Sequence, residues 1–313
     1  MHELFCSCII PTVGRATLSR AVESVLSQSI KGADFEIFIV NDSGKSLPEQ
    51  AWPDSEKVRV INTNQVERSV ARNTGAACAN GRFLHFLDDD DWLAPDAYRY
   101  LRELSQSSHA KWLYGITQVV DRRSRPLIQL RHNLKGNCFV QAMAGEWIPL
   151  QASLIERNAF YDIGGFNPLL KGPEDIDLLR RFLLDEELEE APNLVAYVKM
   201  GSAGSTTDYV QHPLSSRQAR EAILGAPNCF RRMNSSAVNS YWRGRMTRVY
   251  LTSALWNLQR RRYFTFASRL IYAAACAGIV NAGLLSKGFW QAVSKPYASI
   301  TFARGIQNAG IRV

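Results

Sequence analysis

The sequence lacks the patterns that mark several common catalytic and metal sites. It has no GxxxxGK[ST] phosphate loop, no strand-anchored GxGxxG and no GxSxG nucleophile elbow. Its five histidines form no helix-spaced pair, and its six cysteines include no CxxC pair. Those cysteines are Cys6, Cys8, Cys78, Cys138, Cys229 and Cys276. Lone thiols in apolar surroundings are usually core residues, so we expect a reducing cytosol with neither disulfides nor zinc.

Long apolar runs are also missing. The longest candidate, Leu270–Leu285, has 16 residues and contains Asn281, whereas a helix that spans a membrane needs about 20 apolar residues. The chain does not open with a basic stretch followed by a long apolar run, so no signal peptide is expected. These two observations predict a cytoplasmic protein without a membrane span.

Acidic residues are almost missing from the last third of the chain. Residues 211–313 hold 15 lysines and arginines against one acid, Glu221, which gives +14, whereas residues 1–210 hold 22 against 28, which gives −6. A basic segment of this size suits phosphates of a lipid surface or a nucleic acid. We therefore expect a catalytic domain over 1–210 and a basic, aromatic-rich helical region over 211–313.

Strand and helix patterns alternate in the first domain. Short apolar runs predict four buried strands, and helical periodicity predicts two helices between them. The strands are Leu4–Ile10, Phe35–Val40, Val58–Asn62 and Phe83–Leu87, and the helices are Leu18–Leu26 and Ser69–Ala79. This alternation is typical of an α/β fold with a mostly parallel sheet flanked by helices. Further on, Trp112–Val120 and Trp147–Ile155 look extended, and a helix follows Gly172-Pro173.

Four adjacent carboxylates, Asp88–Asp91, follow the predicted strand Phe83–Leu87. Such a cluster is repulsive unless a cation lies there. Mg²⁺ and Mn²⁺ prefer oxygen ligands, and ligands of open α/β sheets bind outside the carboxyl ends of the strands. The pattern favours a divalent metal site, and the alternative is a solvated acidic turn.

Two further segments could meet a nucleotide. Asp42 ends the strand Phe35–Val40, where a carboxylate can accept hydrogen bonds from a nucleobase imide or a ribose hydroxyl. The alternative is an ordinary Asx-turn. The segment Arg68–Asn73 brings cations and amides to a helix start, which suits a phosphate or ribose. Its alternative is capping of the helix by Ser69.

Glu174 and Asp175 begin the helix that follows Gly172-Pro173, with Asp177 close behind. Acids are favoured in a first helical turn by the helix dipole, which is the alternative to any catalytic role. A carboxylate held beside an acceptor hydroxyl can also take its proton as a bond forms. This segment is therefore a candidate general base.

Taken in order, five segments resemble the inverting family 2 glycosyltransferases, which have the GT-A fold. They are similar to the family's "IIPTYNR" start, its nucleotide-binding Asp, its "ARNxG" helix, its DxD metal motif and its "GGF…EDxDL" acceptor region. The segments are Cys8–Arg15, Glu36–Ser43, Ser69–Gly75, Phe86–Trp92 and Gly165–Leu178. Val13-Gly14 departs from the aromatic residue and Asn that the family usually has at those positions.

The resemblance implies donor contacts for residues in the first three segments. Pro11, Thr12 and Asp42 would contact the nucleoside, and Arg72 would hold the nucleotide end.

It also implies roles within the acidic cluster and the later helix. Asp88 and Asp89 would contact the donor, while Asp88 and Asp90 would hold Mn²⁺ or Mg²⁺, with Asp90 as the direct ligand. Asp175 would be the base, with Glu174 as the second candidate.

The function that follows is transfer of a sugar, with inversion, from a nucleotide sugar to a glycan or polyprenyl-linked acceptor. A UDP-sugar is the favoured donor, and cell-surface polysaccharide synthesis is the expected process. Two alternatives remain: a nucleic-acid-binding protein, against which the retained acids argue, and a catalytically inactive glycan-binding relative.

The basic tail interleaves arginines with aromatic residues. The arginines are Arg231, Arg232, Arg243, Arg245, Arg248, Arg260, Arg261 and Arg262, and the rings include Trp242, Tyr250, Trp256, Tyr263, Phe264 and Phe266. This mixture suits an anionic membrane surface. We therefore expect a peripheral protein at the cytoplasmic face of the membrane. The alternative is that these helices only cover the α/β domain.

Overall fold

The computed structural model describes residues 3–30, 33–47, 52, 55–64, 67–170, 172, 174–199, 222–226, 228–229, 232, 236–259, 261–278 and 286–294. The chain divides into two compact units. Most of residues 3–199 forms the first unit, whereas residues 139–146 join the helices after residue 222 in the second. The predicted boundary near residue 210 lies outside the described residues.

The first unit is built on one mixed sheet. Its strand order is β3-β2-β1-β4-β8-β6-β9-β5, and β7 pairs with β6. The strands are β1 (Glu3–Thr12), β2 (Ala33–Asn41), β3 (Val58–Asn62), β4 (Phe83–Phe86), β5 (Trp92–Leu93), β6 (Trp112–Val120), β7 (Pro126–Leu130), β8 (Ser153–Glu156) and β9 (Leu188–Lys199). β1 to β4 pair in parallel, whereas β8 runs antiparallel to β4 and β6.

Helices connect the strands and flank the sheet. They are α1 (Leu18–Leu26), α2 (Arg68–Cys78), α3 (Ala97–Ser107), α4 (Phe139–Met143), α5 (Arg157–Asp162) and α6 (Glu174–Phe182), with a 3-10 turn at Leu150–Ala152. The predicted strands and helices of the first hundred residues are present with ends shifted by a few residues. The segment Trp147–Ile155, predicted as extended, contains the 3-10 turn before β8.

β1 extends to Thr12, two residues past the predicted end at Ile10, and therefore includes Pro11. A proline has no N–H to donate to a ladder. β4 pairs with β1 only as far as Ile9, and the amide of Leu87 donates to the Ile9 carbonyl at 3.1 Å. Pro11 follows at the next position on that side of β1, beyond the end of β4. Its missing N–H therefore breaks no ladder bond.

The parallel register brings the carboxyl ends of β1, β2 and β4 to one edge of the sheet. Thr12 lies opposite Asn41, and the amide of Asp42 donates to the Thr12 carbonyl at 2.9 Å. α2 packs closely behind this edge, because a Cβ on Gly75 would lie 2.5 Å from Cγ2 of Ile9. Any larger side chain at Gly75 would push α2 away from β1.

The second unit is helical. It contains α4 and the helices Ser236–Gln259, Tyr263–Ala277 and Lys287–Ser294. Buried Arg245 donates to Glu146 Oε1 at 2.7 Å, and Arg248 donates to the carbonyl of Ser294 at 2.8 Å. These two arginines of the basic tail therefore take part in internal packing.

No helix in the described ranges is long and apolar enough to cross a bilayer. The run Leu270–Leu285 begins in the helix Tyr263–Ala277, and its residues 279–285 lie outside the described ranges. Arg231 and Arg260 of the predicted arginine series also lie outside them.

Candidate active site

The acidic segment Asp88–Asp91 leaves the end of β4 and is fixed at its far end by β5. Trp92 of β5 pairs with Tyr197 of β9, and their rings stack at 5.2 Å between centroids. The guanidinium of Arg20 lies 3.2 Å from the centre of the Trp92 ring. Because both ends are anchored in the sheet, the four carboxylates have defined directions.

Three of the four carboxylates converge. Asp88, Asp90 and Asp91 each place an oxygen within 4.8 Å of the others. Asp91 is buried, and its Oδ1 accepts a hydrogen bond of 2.7 Å from the backbone amide of Lys199. Burial, followed by the charges of Asp88 and Asp90, raises the pKa of Asp91 well above its ordinary value. This is the electrostatic situation that a bound cation relieves.

The side chain of Asp90 accepts no hydrogen bond from the residues that the structure describes. Its only ion pair with the described residues is to Arg15, at 3.5 Å from Oδ2 to Nη1. Its oxygens are therefore the most available for an external ligand, as the DxD resemblance implies for Asp90.

Asp89 is turned into the protein instead. Its Oδ2 accepts a hydrogen bond of 2.5 Å from Thr12, and its Oδ1 accepts one of 2.7 Å from Arg15. Thr12 and Asp89 are both buried. The structure thus joins two residues that the resemblance assigned to the donor, and their contact closes the end of β1 against the acidic segment.

Asp88 is held on both oxygens. Oδ1 accepts from Nη2 of Arg72 at 2.7 Å, and Oδ2 accepts from Nε2 of Gln151 at 2.8 Å. Burial acts to raise the pKa of Asp88, but the charge and hydrogen bond of Arg72 outweigh it and hold that pKa below its ordinary value. Asp88 is therefore ionised and oriented at neutral pH.

Arg72 extends this network to α6. Its Nη1 donates to Oε1 of Glu174 at 3.0 Å, and only 4% of its side chain is exposed. The guanidinium predicted to hold the nucleotide end is thus engaged with two carboxylates of the protein. Asp175 follows Glu174 in the first turn of α6. Burial, and next the Glu174 carboxylate, raise the pKa of Asp175 to about 6.

The loop before α6 is tied to α2. The side chain of Asn73 donates to the Phe166 carbonyl at 2.8 Å and accepts from the Phe166 amide at 3.0 Å. Gly165 has a φ of +66°, and a Cβ there would lie 2.8 Å from Oδ1 of Asn73. The "ARN" and "GGF" segments are therefore structural partners, and a glycine is required at their junction.

Asp42 lies buried at the end of β2. Its Oδ1 accepts from the Thr63 hydroxyl, and its Oδ2 accepts from the Glu67 amide, both at 2.6 Å. These bonds link the end of β2 to the residue that follows β3 and to the N-cap residue of α2. Pro11 lies half-buried in the neighbouring strand, at the same edge of the sheet.

Three residues of this site were missed by the sequence analysis. Asp91 was part of the acidic segment but had no assigned role, and nothing in the chain distinguished it from Asp89. Gln151 gave no signal, because it lies 63 positions from the carboxylate that it contacts. Arg15 ends the segment Cys8–Arg15, and the resemblance of that segment to the family's start was the one sign that Arg15 could belong to the site.

Comparison with known proteins finds relatives among the glycosyltransferases. An uncharacterized glycosyltransferase of Haemophilus influenzae is 29% identical over 191 residues, which cover 56% of this chain and 61% of that protein. The UDP-Glc:α-D-GlcNAc-diphosphoundecaprenol β-1,3-glucosyltransferase WfgD of Escherichia coli is 26% identical over 129 residues, 40% of this chain and 50% of that protein. The chain thus aligns with only part of each of these relatives.

Solved structures show the same fold. Residues 1–349 of Staphylococcus aureus TarS, in complex with UDP-GlcNAc, superpose with a TM-score of 0.57 at 14% identity, covering 88% of this chain and 92% of that one. This likeness confirms the GT-A-like α/β fold with a helical C-terminal region. The family model for Glycosyl transferase family 2 matches residues 7–166, just over half of the 313 residues. The chain belongs to glycosyl transferase family 2.

Proposed function

We propose that this transferase is a metal-dependent, inverting enzyme that moves a sugar from a nucleotide sugar to a glycan or polyprenyl-linked acceptor in cell-surface polysaccharide synthesis. The observation that carries the proposal is that one arginine joins the acidic cluster to the helix that holds the candidate base. Asp88 of the acidic cluster and Glu174, which precedes Asp175, bind the same guanidinium of Arg72.

The donor is a nucleoside diphosphate sugar, with a UDP-sugar favoured. The TarS structure contains UDP-GlcNAc, and the name of WfgD specifies UDP-Glc. Pro11, Thr12 and Asp42 lie at one edge of the sheet, which is where α/β folds bind nucleotides. Asp42 and Thr12 already make internal hydrogen bonds, so their remaining acceptor positions and the neighbouring backbone would meet the nucleoside.

The acidic cluster fits a hard divalent cation. Its three carboxylates offer only oxygen ligands, and burial, followed by the charges of Asp88 and Asp90, raises the pKa of Asp91. Asp88 and Asp90 would hold Mn²⁺ or Mg²⁺, with Asp91 completing the set. A divalent cation in this position would stabilise the charge that develops on the diphosphate leaving group.

Asp175 is the general base of the proposed reaction. A pKa of about 6 lets it be ionised at neutral pH and still basic enough to take a proton from an acceptor hydroxyl. A base that acts on the face of the sugar opposite the leaving group gives a single displacement, which inverts the anomeric configuration. Glu174 is the weaker candidate, because its Oε1 is already bound to Arg72.

The helical unit would bring this chemistry to an anionic membrane surface. Phe264 and Ile271 are seven positions apart on one helix, and their side chains are 90% and 68% exposed. Arg261 and Arg262, at the start of that helix, are also exposed. An exposed apolar stripe with arginines at one end is typical of helices that lie in a membrane interface. Such a location suits the diphosphoundecaprenol acceptor in the name of WfgD.

A thermal-shift screen of nucleotide sugars tests the proposal. Ligand that binds only the folded state raises the midpoint of unfolding by mass action. We expect one nucleoside diphosphate series to stabilise the protein in Mn²⁺ and to lose its effect in EDTA. Absence of stabilisation by every nucleotide sugar, together with stabilisation by DNA or RNA, would contradict the proposal in favour of nucleic-acid binding.

A further inference from the structure

Arg72 lies between the acidic cluster and α6. Its two terminal nitrogens donate to different carboxylates, Asp88 at 2.7 Å and Glu174 at 3.0 Å. The Arg72 and Glu174 side chains are each 4% exposed, so water screens this ion pair little, whereas the Asp88 side chain is 30% exposed. The guanidinium of Arg72 is planar and its N–H groups point in fixed directions, so it orients both carboxylates.

Glu174 is equally buried and is oriented by arginines. Its Oε1 accepts from Arg72, and Nη1 of Arg68 lies 3.5 Å from the same oxygen. Its Oε2 makes no hydrogen bond with any residue in the described ranges. Oε1 of Glu174 is therefore occupied by a hydrogen bond from Arg72 and an ion pair with Arg68, which favours a role in holding these arginines over removal of a proton from a ligand.

Asp88 is held from its other side by a separate chain of contacts. Gln151 donates to Oδ2 of Asp88, and the Gln151 backbone carbonyl accepts a 3.0 Å hydrogen bond from His85 of β4. Burial lowers the pKa of His85 to about 4, so the ring is neutral and donates through Nε2. Asp88 therefore has little freedom to move. A substitution of Arg72 is expected to alter the position of Glu174.

We propose that Arg72 and Glu174 are positioning residues that hold the first turn of α6, and with it Asp175, in register with the carboxylate cluster at the end of β4. This inference rests on the proposed function, because it assigns Asp175 as the base and the cluster as the donor end. It adds that Glu174 acts through Arg72 and does not exchange a proton with substrate.

The physical basis is the sensitivity of a transfer reaction to geometry. A base and a leaving group on separate elements must be aligned, and displacement by about 1 Å can cost 10²-fold in rate. Arg72 of α2 lies 102 positions before Glu174 of α6, so no local structure aligns the acidic cluster with the first turn of α6. A single buried guanidinium does so with two charge-assisted hydrogen bonds.

Four variants separate this role from a base and from simple helix stability. Glu174→Ala removes the acceptor for Arg72. Glu174→Gln keeps an oxygen that can accept from Arg72. It places the NH₂ group at the position of Oε2, which has no hydrogen-bond partner in the described ranges. Arg72→Lys keeps the charge, but one ammonium cannot donate in both fixed directions. The matched control is Asp177→Asn, which removes a buried ion pair with Arg181 on the same helix, 2.7 Å long, without touching Arg72.

The full-length protein is assayed with the nucleotide sugar that the wild type consumes, alongside Mn²⁺-dependent thermal shift by UDP and urea unfolding without metal. Glu174→Ala should lower kcat by about 10–100-fold with donor KM and the UDP shift unchanged. Glu174→Gln should retain most of kcat, whereas Arg72→Lys should lose both kcat and the UDP shift because Asp88 is released. Asp177→Asn should lower the free energy of unfolding but keep kcat.

Urea unfolding also measures coupling directly. The double variant Arg72→Lys/Glu174→Ala should be less destabilised than the sum of its parts. The inference is overturned if Glu174→Gln is as inactive as Asp175→Asn, which would make Glu174 the base, or if Glu174→Ala changes kcat no more than Asp177→Asn does. A wild type that consumes no nucleotide sugar would instead overturn the proposed function, and this inference with it.

Discussion

Thr12 donates a hydrogen bond of 2.5 Å to Asp89 across 77 positions of the chain. The contact removes one carboxylate of the acidic segment from the cluster that the other three form. Neighbouring residues in a turn point in different directions, so four adjacent aspartates cannot all face one ligand. Three of the four aspartates therefore face the candidate metal site, and substitutions at adjacent positions of the segment should have different effects.

Asp90→Ala should abolish the Mn²⁺-dependent stabilisation by UDP and lower turnover below detection. The reason is that Asp90 accepts no hydrogen bond from the described part of the chain, which makes it the carboxylate most available to a cation. Thermal shift with UDP, in Mn²⁺ and in EDTA, measures the first effect. Asp96→Ala is the control, because Asp96 is exposed and pairs with Arg99 outside the cluster. Metal-dependent UDP binding that survives in Asp90→Ala would refute the assignment.

Asp175→Asn should lower kcat by about 10²–10⁴-fold, which is the usual contribution of a positioned base. UDP binding should remain, since Asp175 is on α6 and not in the acidic cluster. In the wild type, kcat should rise tenfold per pH unit below about 6 and level off above it, because the base must be ionised. A flat profile between pH 5 and 8 would count against Asp175.

The same raised pKa makes a prediction about stability without any substrate. The folded-state pKa of Asp175, about 6, lies above its ordinary value of 3.8, so the folded protein holds this proton more tightly than the unfolded chain. Stability contributed by the group is present below pH 4 and is lost as the pH rises through 6. Asp175→Asn should therefore be more stable than the wild type at pH 7.5, by about 1–3 kcal/mol, and equal to it near pH 4.

Urea denaturation of both proteins at the two pH values, with EDTA present, is the measurement. The side-chain oxygen of Asn can still accept a hydrogen bond from the backbone amide of Ile176, as Oδ1 of Asp175 does at 2.8 Å. The comparison therefore isolates the effect of the negative charge on stability. A variant that is less stable than the wild type at pH 7.5 would show that Asp175 stabilises the fold as an ordinary helix acid.

Local patterns in the sequence predicted much of this fold because they report burial directly. The apolar runs of β1, β2 and β4 and the periodicity of α1 predicted their elements within a few residues. β5 has only two residues, and β9 carries Glu189 and Glu190 within its first half. β5 is too short to be distinguished from a loop, and β9, although 12 residues long, lacks the apolar run or alternation that predicts a strand.

The site was predictable only in part, for a different reason. Asp42, Asp88 and Asp175 were identifiable because a polar residue after a strand or at a helix start has a positional meaning. The partners of Asp88 were not, because Arg72 and Gln151 reach it through the tertiary fold. The hydrogen bonds of Arg72 to two carboxylates were not predictable, because a sequence does not show which acids a guanidinium meets in the fold.

Membrane association should depend on the exposed apolar stripe of the helix Tyr263–Ala277. Phe264→Asp/Ile271→Asp should no longer float with phosphatidylglycerol vesicles at low salt, whereas the wild type should float and be released at high salt. Leu169→Asp is the matched control, because Leu169 is 88% exposed in the first unit. The full chain is used throughout, since residues 139–146 belong with the tail helices. Wild-type protein that stays with the soluble fraction would favour a soluble acceptor.

The most direct test of a metal-dependent, inverting transferase is to follow donor consumption by ¹H NMR with water as the acceptor. Full-length protein is incubated with a panel of UDP-, GDP- and dTDP-sugars in Mn²⁺, and the anomeric signal of the first free sugar is recorded before it mutarotates. The account predicts that one donor series releases its nucleoside diphosphate only with the metal, and that the sugar appears with the opposite anomeric configuration. Consumption of no donor in the panel, release that persists in EDTA, or a sugar of retained configuration would contradict it.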